Sequence, residues 1–175
     1  YCVLTNSYFS IILIMNDSIY KCNVDNFPFD GLSLANPQGL QGGTYISKLK
    51  LLGNQITLQT PMCSTKNGII KTDKKIYCDL VFDMDNENVQ EFFTALEDKI
   101  KNLIYDKKDV WFHTDMDMDT IDYHWQTILR RYKGSKLLLR CNIKKPNRSK
   151  VSMNPTIQIY NEDETLLGLD SITND

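Results

Sequence analysis

The stretch IYCDLVF at residues 76–82, followed by DMDN at 83–86 and ENVQEFFTALEDKIKNLI at 87–104, decides how this chain folds. Its first part is rich in β-branched and aromatic residues, which favour a strand, and the aspartates and asparagine after it favour the start of a helix. In residues 87–104 the apolar side chains recur at the spacing of one helix face. They are Val89, Phe92, Phe93, Leu96, Ile100, Leu103 and Ile104. The sequence therefore predicts one long helix packed on a strand-rich structure.

Elsewhere the chain shows short strand-like runs separated by turn residues, with turns expected at Gly53-Asn54 and Asn67-Gly68. The expected strands occupy residues 45–52, 55–60, 76–82, 137–143 and 156–160. We expect the last of them to pair with the strand at 137–143. Short strands interrupted midway by one helix are typical of the five-stranded oligonucleotide-binding (OB) barrel. We therefore predict a mainly β (α+β) fold, an OB-fold-like barrel with one long inserted helix at about 87–104, and leave an open α+β sandwich as the alternative.

The 175 residues suffice for one domain with a hydrophobic core. Residues 1–35 are expected to be an N-terminal extension or irregular segment, because turn residues dominate their second half. Residues 36–161 are expected to form the OB-like domain, and residues 162–175 an acidic segment. No apolar run reaches the ~18–20 residues that a membrane-spanning helix needs, so we expect no membrane partner.

Charge is distributed unevenly along the chain although its net value is only −2. Residues 123–161 contain nine Lys or Arg and no acid, and residues 162–175 contain five acids and no base. This segregation indicates a polyanionic partner beside an acidic segment, with ordinary solvated surface charge as the alternative.

A basic segment interleaved with tyrosines is typical of a surface that binds a nucleic-acid strand. Lysine and arginine neutralise phosphates, and aromatic rings stack on bases without reading their sequence. The predicted nucleic-acid-binding residues are Tyr45, Lys48, Lys50, Lys66, Lys71, Arg130, Arg131, Tyr132, Lys133, Lys136, Arg140, Lys144, Lys145 and Arg148.

Signatures of catalysis are scarce in this sequence. It contains two histidines, no Cys-x-x-Cys pair, no glycine-rich phosphate loop and no nucleophile elbow. We therefore expect no catalytic residue, no metal and no cofactor. A metal-dependent nucleic-acid enzyme using Asp79, Asp83 and Asp85 is kept as an alternative. The five scattered cysteines favour a reducing compartment.

Three blocks of residues carry a resemblance to a known family. They are Gly42-Gly43-Thr44-Tyr45, then Gln59-Thr60-Pro61-Met62-Cys63 with Lys66-Asn67-Gly68-Ile69, then Tyr77-Cys78-Asp79-Leu80. The series resembles the phage-type single-stranded DNA-binding protein family of nucleocytoplasmic large DNA viruses. The resemblance implies an OB barrel with an inserted helix that coats single strands during viral DNA replication, recombination or repair. It also implies no catalysis and no metal, and a location in the host cytoplasm or the viral replication factory.

Relatives in that family continue beyond the acidic stretch into another hydrophobic strand. Residues 162–175 are therefore either a free acidic tail or a linker to a missing strand. A free tail would compete with DNA for the basic residues and recruit replication proteins. We leave homo-oligomer formation open, and keep a viral structural or scaffold protein as the alternative function.

Overall fold

The computed structural model describes residues 2–5, 8–11, 19–112, 115–143, 159–160, 165–167 and 173–174. Within these residues the fold is α+β, with many short strands and three α-helices, α1 (Glu87–Tyr105), α2 (Lys108–Trp111) and α3 (Met118–His124). In chain order the strands are β1 (Cys2–Thr5), β2 (Tyr8–Ile11), β3 (Ile19–Lys21), β4 (Leu32–Leu34), β5 (Gln38–Gly39), β6 (Tyr45–Ile46), β7 (Leu49–Leu51), β8 (Asn54–Gln55), β9 (Thr57–Gln59), β10 (Ser64–Lys71), β11 (Ile76–Asp83), β12 (Leu129–Tyr132), β13 (Lys136–Ile143), β14 (Ile159–Tyr160), β15 (Leu166–Leu167) and β16 (Thr173–Asn174).

The largest sheet has the order β12-β13-β11-β10-β16. Strand β11 lies at its centre and pairs antiparallel with β10 and β13, while β16 pairs parallel with β10. The other sheets are β15-β14-β1-β2, β4-β7-β8, β3-β9 and β5-β6. In the part of the chain that the structure describes, none of these sheets closes into a barrel. The mainly β, α+β class is confirmed at this level, and the OB barrel stays a prediction.

Helix α1 confirms the helix predicted at 87–104 and covers one side of the largest sheet. Val89 and Phe92 are fully buried, and Phe93 and Leu96 nearly so, in one core with Leu80 of β11. Burying each such side chain contributes roughly 1.5–3 kcal/mol, which explains why the apolar spacing determined the helix. The predicted strands at 76–82 and 137–143 are confirmed by β11 and β13.

Residues 19–34, expected to be irregular, pack into this same core. Strand β3 pairs with β9 and β4 pairs with β7. The Phe27 ring meets the Phe92 ring edge-on at 5.2 Å between centroids, and Leu32 is 4% exposed. The predicted division at residue 36 therefore does not coincide with a break in the packing. The turn residues Pro28 and Gly31 bend this segment without keeping its apolar side chains out of the core.

Three local expectations differ from the structure. The β7–β8 hairpin turns at Leu52-Gly53, both with positive φ, rather than at Gly53-Asn54. The expected turn at Asn67-Gly68 is instead an irregularity inside β10, where the register with β11 shifts between Thr65 and Ile69. Strand β14 pairs with β1 and β15 and not with β13, because β11 and β12 occupy both edges of β13.

Helix α3 is attached to α1 by polar contacts. The Glu97 carboxylate on α1 accepts hydrogen bonds from Nε1 of Trp125, at 2.9 Å, and from the backbone N–H of Ile128. Lys101 pairs with Asp122 of α3 at 2.9 Å, and this hydrogen bond raises the pKa of the lysine. These contacts fix the chain that leads into β12. None of the helices among the described residues is long and apolar enough to cross a membrane.

Part of the predicted acidic segment lies at a sheet edge. Residues 166–167 form β15, and residues 173–174 form β16 next to β10. Whether the remainder of 162–175 is a tail or a linker lies outside the described residues.

Candidate nucleic-acid interface

Alternation along β11 separates an apolar side of the largest sheet from a polar side. Cys78, Leu80 and Phe82 point to the core beneath α1. Successive strand residues point to opposite faces, so Asp79 and Asp83 point away from the helix. Directly paired residues of antiparallel strands share a face, so the pairing registers extend this polar side across β12 and β13. We call it the cation–tyrosine face. Its polar and aromatic members are Lys66, Tyr77, Asp79, Asp83, Arg130, Tyr132, Lys133, Lys136 and Arg140, and the paired residues Val81 and Leu138 are buried among them.

Asp79 and Arg140 form a bidentate ion pair at the centre of this face. The two residues are direct partners across β11 and β13. Nε and Nη2 of Arg140 each donate to a different Asp79 oxygen, both at 2.7 Å. The Asp79 side chain is 5% exposed and that of Arg140 is 33% exposed. Hydrogen bonding by Arg140 lowers the pKa of Asp79 although burial opposes it, and the same bond raises the pKa of Arg140.

Two further groups surround this ion pair. The Cζ atom of Arg140 lies 4.3 Å from the centre of the Tyr77 ring, in the geometry of a cation–π contact. Nη2 of Arg130 lies 3.9 Å from Oδ1 of Asp79, and the Arg130 side chain is 49% exposed. The charge of Asp79 is therefore balanced by Arg140, and about half of the Arg130 side chain remains exposed.

Tyr132 is the second aromatic ring of the face. Nζ of Lys66 lies 4.8 Å from the centre of its ring and Nζ of Lys133 lies 5.3 Å from it. Lys66 reaches this position from the irregular part of β10, where Gly68 has φ +67° and donates its N–H to Oγ1 of Thr65. The irregularity at Thr65–Ile69, where a turn was expected, thus brings Lys66 of β10 to the Tyr132 ring of β12.

Beyond Tyr132 the face continues into an open polar cleft. Lys136 pairs with Asp83 at 2.7 Å, and both side chains are substantially exposed. These two residues line a cleft of about 650 Å³ together with Ser64, Val81 and the chain around the start of α1, at Asp85, Asn86 and Asn88. The cleft therefore extends the face toward the start of α1.

The structure brings six of the predicted binding residues together: Lys66, Arg130, Tyr132, Lys133, Lys136 and Arg140. Arg131 pairs with Leu137, whose side chain points to the core, so it lies on the other side of β12. Lys71 pairs with Ile76 and lies at the opposite end of the sheet. Tyr45, Lys48 and Lys50 belong to the region of the two smaller sheets β5-β6 and β4-β7-β8. Lys144, Lys145 and Arg148 lie outside the described residues.

Comparison with protein-family models, curated proteins and solved structures finds no match to this chain. The resemblance to the viral single-stranded DNA-binding family therefore stays a prediction.

Sequence reasoning missed Tyr77 and Asp79 as members of this face. The signal was present, since a lone aspartate inside the apolar run 76–82 requires a charged partner if it is buried. The partner could not be named without the register of β11 against β13.

Two of the three carboxylates considered for a metal site, Asp79 and Asp83, are engaged by cations. Both oxygens of Asp79 accept from Arg140, and Asp83 pairs with Lys136. Across the described residues no group of three or more His, Cys, Asp or Glu side chains is arranged to hold a metal ion.

Proposed function

We propose that this protein binds single-stranded DNA, largely independently of sequence, through the cation–tyrosine face. The observation that carries the proposal is the convergence of Lys66 and Lys133 on the Tyr132 ring, with Arg130 two residues away on the same face of β12, on the side of the sheet opposite α1. At such a site the cations attract the phosphates and the neighbouring aromatic ring stacks on the bases.

A single strand suits this face better than a duplex. Stacking on a tyrosine requires an exposed base face, and base faces are buried in a duplex. The tyrosines lie on a sheet surface rather than on a helix that could enter a groove. We therefore expect a preference for single strands.

The finer parts of the proposal are an OB barrel and a role in viral DNA replication, recombination or repair. The first is supported by the five strands of the largest sheet and by a long helix inserted between β11 and β12 in chain order. The second is supported by the sequence blocks that resemble the viral family. Replication proteins binding residues 162–175, homo-oligomer formation and a location in the host cytoplasm or the viral replication factory belong to this same proposal.

A structural or scaffold protein of the virus is the second candidate. It is favoured by the acids on the face, because Asp79 and Asp83 pair with Arg140 and Lys136 and reduce its net positive charge. This candidate predicts stable association with another protein and no preference for single strands.

Replacing Arg130 by glutamate is expected to weaken binding to a poly-dT oligonucleotide. Arg130→Glu turns an attraction to a phosphate into a repulsion, each worth ~1 kcal/mol at 4 Å in water, so affinity should fall roughly thirtyfold. Fluorescence anisotropy at low salt measures it. The matched control is Arg131→Glu, which makes the same charge change one residue away, on the other side of β12. Equal losses in the two variants would show that the face does not contact the strand.

A further inference from the structure

Arg140 has hydrogen-bonding capacity that the ion pair with Asp79 does not use. A guanidinium carries five N–H groups, and Asp79 accepts one from Nε and one from Nη2. The remaining pair of parallel donors, one N–H on each Nη atom, lies on the outer edge of the same plane. One third of the side chain is exposed. A ligand with two adjacent acceptors can therefore be held in that plane.

The position of Arg140 is defined from two directions. Asp79 is its direct cross-strand partner and holds it edge-on, and the Tyr77 ring lies under its face at 4.3 Å. An arginine held in this way loses little rotamer freedom when it forms another pair of hydrogen bonds, which favours recognition of a planar ligand.

We propose that Arg140 reads guanine in the bound strand, donating from both Nη atoms to O6 and N7 of the base. This pair of acceptors is the one that arginine recognises bidentately in DNA, and among the four bases only guanine presents it. The inference rests on the proposed function and adds one base-specific contact to binding that is otherwise set by phosphates and stacking. Asp79 and Tyr77 are positioning residues for this contact.

A phosphate fits this arginine less well than a base. The charge of Arg140 is already balanced by Asp79, whereas the nearby Lys66 lies over the Tyr132 ring and Arg130 is 49% exposed. A phosphate is drawn by net charge, so the outlying cations are its better partners. A neutral base edge is recognised by the direction of the paired donors more than by net charge, so the presence of Asp79 weakens its binding less than that of a phosphate.

The test uses the unaltered protein and changes only the DNA. Oligo-dT strands of equal length carry a few guanines, each separated by thymines so that the guanines cannot associate. Matched strands carry adenine or 7-deazaguanine, which lacks the N7 acceptor, at the same positions. We expect the guanine strand to bind roughly tenfold more tightly than the adenine strand, with the 7-deaza strand losing most of the difference. The dependence of affinity on salt should be the same for all three strands.

Arg140→Lys provides the protein-side arm, because it keeps the charge and loses the planar fork. It should bind guanine and adenine strands with affinities within about twofold of each other, well short of the tenfold gap of one bidentate contact. If this variant fails to fold, the DNA-side comparison still decides the question.

The outcomes separate this inference from the function on which it rests. Tight, salt-dependent binding of all strands without a guanine preference would overturn the proposal that Arg140 recognises guanine, and would leave the proposal of single-strand binding intact. A preference that survives the 7-deaza substitution would also overturn it. Failure of every strand to bind would overturn both.

Discussion

Replacing Asp79 by asparagine is expected to lower the free energy of unfolding by about 3 kcal/mol, the lower end of the range for breaking a buried ion pair. The change preserves the shape of the side chain and removes its charge. Arg140 then keeps an uncompensated charge on a side chain that is 33% exposed. Its partial exposure is the reason for choosing the lower end of the range. Urea unfolding followed by circular dichroism measures the loss.

The matched control is Asp83→Asn, on the same strand and the same face. Asp83 likewise pairs with a cation, Lys136, at 2.7 Å, but the Asp83 side chain is 70% exposed. An exposed pair contributes about 0–1 kcal/mol, so this variant should remain close to the unaltered protein. Similar losses in the two variants would contradict the assignment of Asp79–Arg140 as the central ion pair of the sheet.

The loss in Asp79→Asn should depend on pH in a defined direction. Arg140 holds the pKa of Asp79 below its usual range in the folded protein. A group with a lowered pKa stabilises the fold fully above its unfolded pKa of about 3.9, and the stabilisation disappears as the pH falls through the lower folded pKa. The difference in stability between the two proteins should therefore be constant at neutral pH and shrink below about pH 4. A difference that persists in acid would point to a cause other than the charge.

Replacing Phe92 by alanine is expected to lower the free energy of unfolding by about 3–5 kcal/mol. The Phe92 side chain is fully buried on α1. Its ring packs edge-on against Phe27 at 5.2 Å and Phe93 at 5.3 Å, so its removal leaves a cavity between the helix and residues 19–34. Small domains are stable by only ~5–15 kcal/mol, so this loss is a large fraction of the total.

Tyr123→Ala is the control for Phe92→Ala, because it also removes a large ring but one that is 85% exposed. It should change stability by less than about 0.5 kcal/mol. A loss below about 1 kcal/mol in Phe92→Ala would contradict the packing of residues 19–34 against α1. Thermal and urea unfolding of the three proteins in parallel provide the comparison.

The long helix and the two central strands could be predicted because their signals are local. The apolar spacing in 87–104 and the β-rich run 76–82 each fit one secondary structure only. Residues 19–34 could not be predicted in the same way. Their strands are three residues long, too short to show a period, and their place in the core depends on Phe27 meeting Phe92.

The candidate site could be predicted in composition but not in arrangement. The basic segment indicated a binding surface, but Arg130 and Arg131 lie on opposite sides of β12, and only the pairing register shows which one faces the sheet tyrosines. Tyr45 matched the expected chemistry, yet it lies on the β5-β6 ribbon. Local sequence does not determine which distant strands pair, so the partner of Asp79 could be identified only from the structure.

The most direct test of the account is a salt titration of binding to single-stranded and double-stranded oligonucleotides of equal length. We predict tighter binding to the single strand, with log K falling against log salt with a slope of about −2 if Lys66, Arg130 and Lys133 each neutralise one phosphate. Equally weak binding to both forms, or binding to the single strand that does not change with salt, would contradict the proposal that the cation–tyrosine face binds single-stranded DNA.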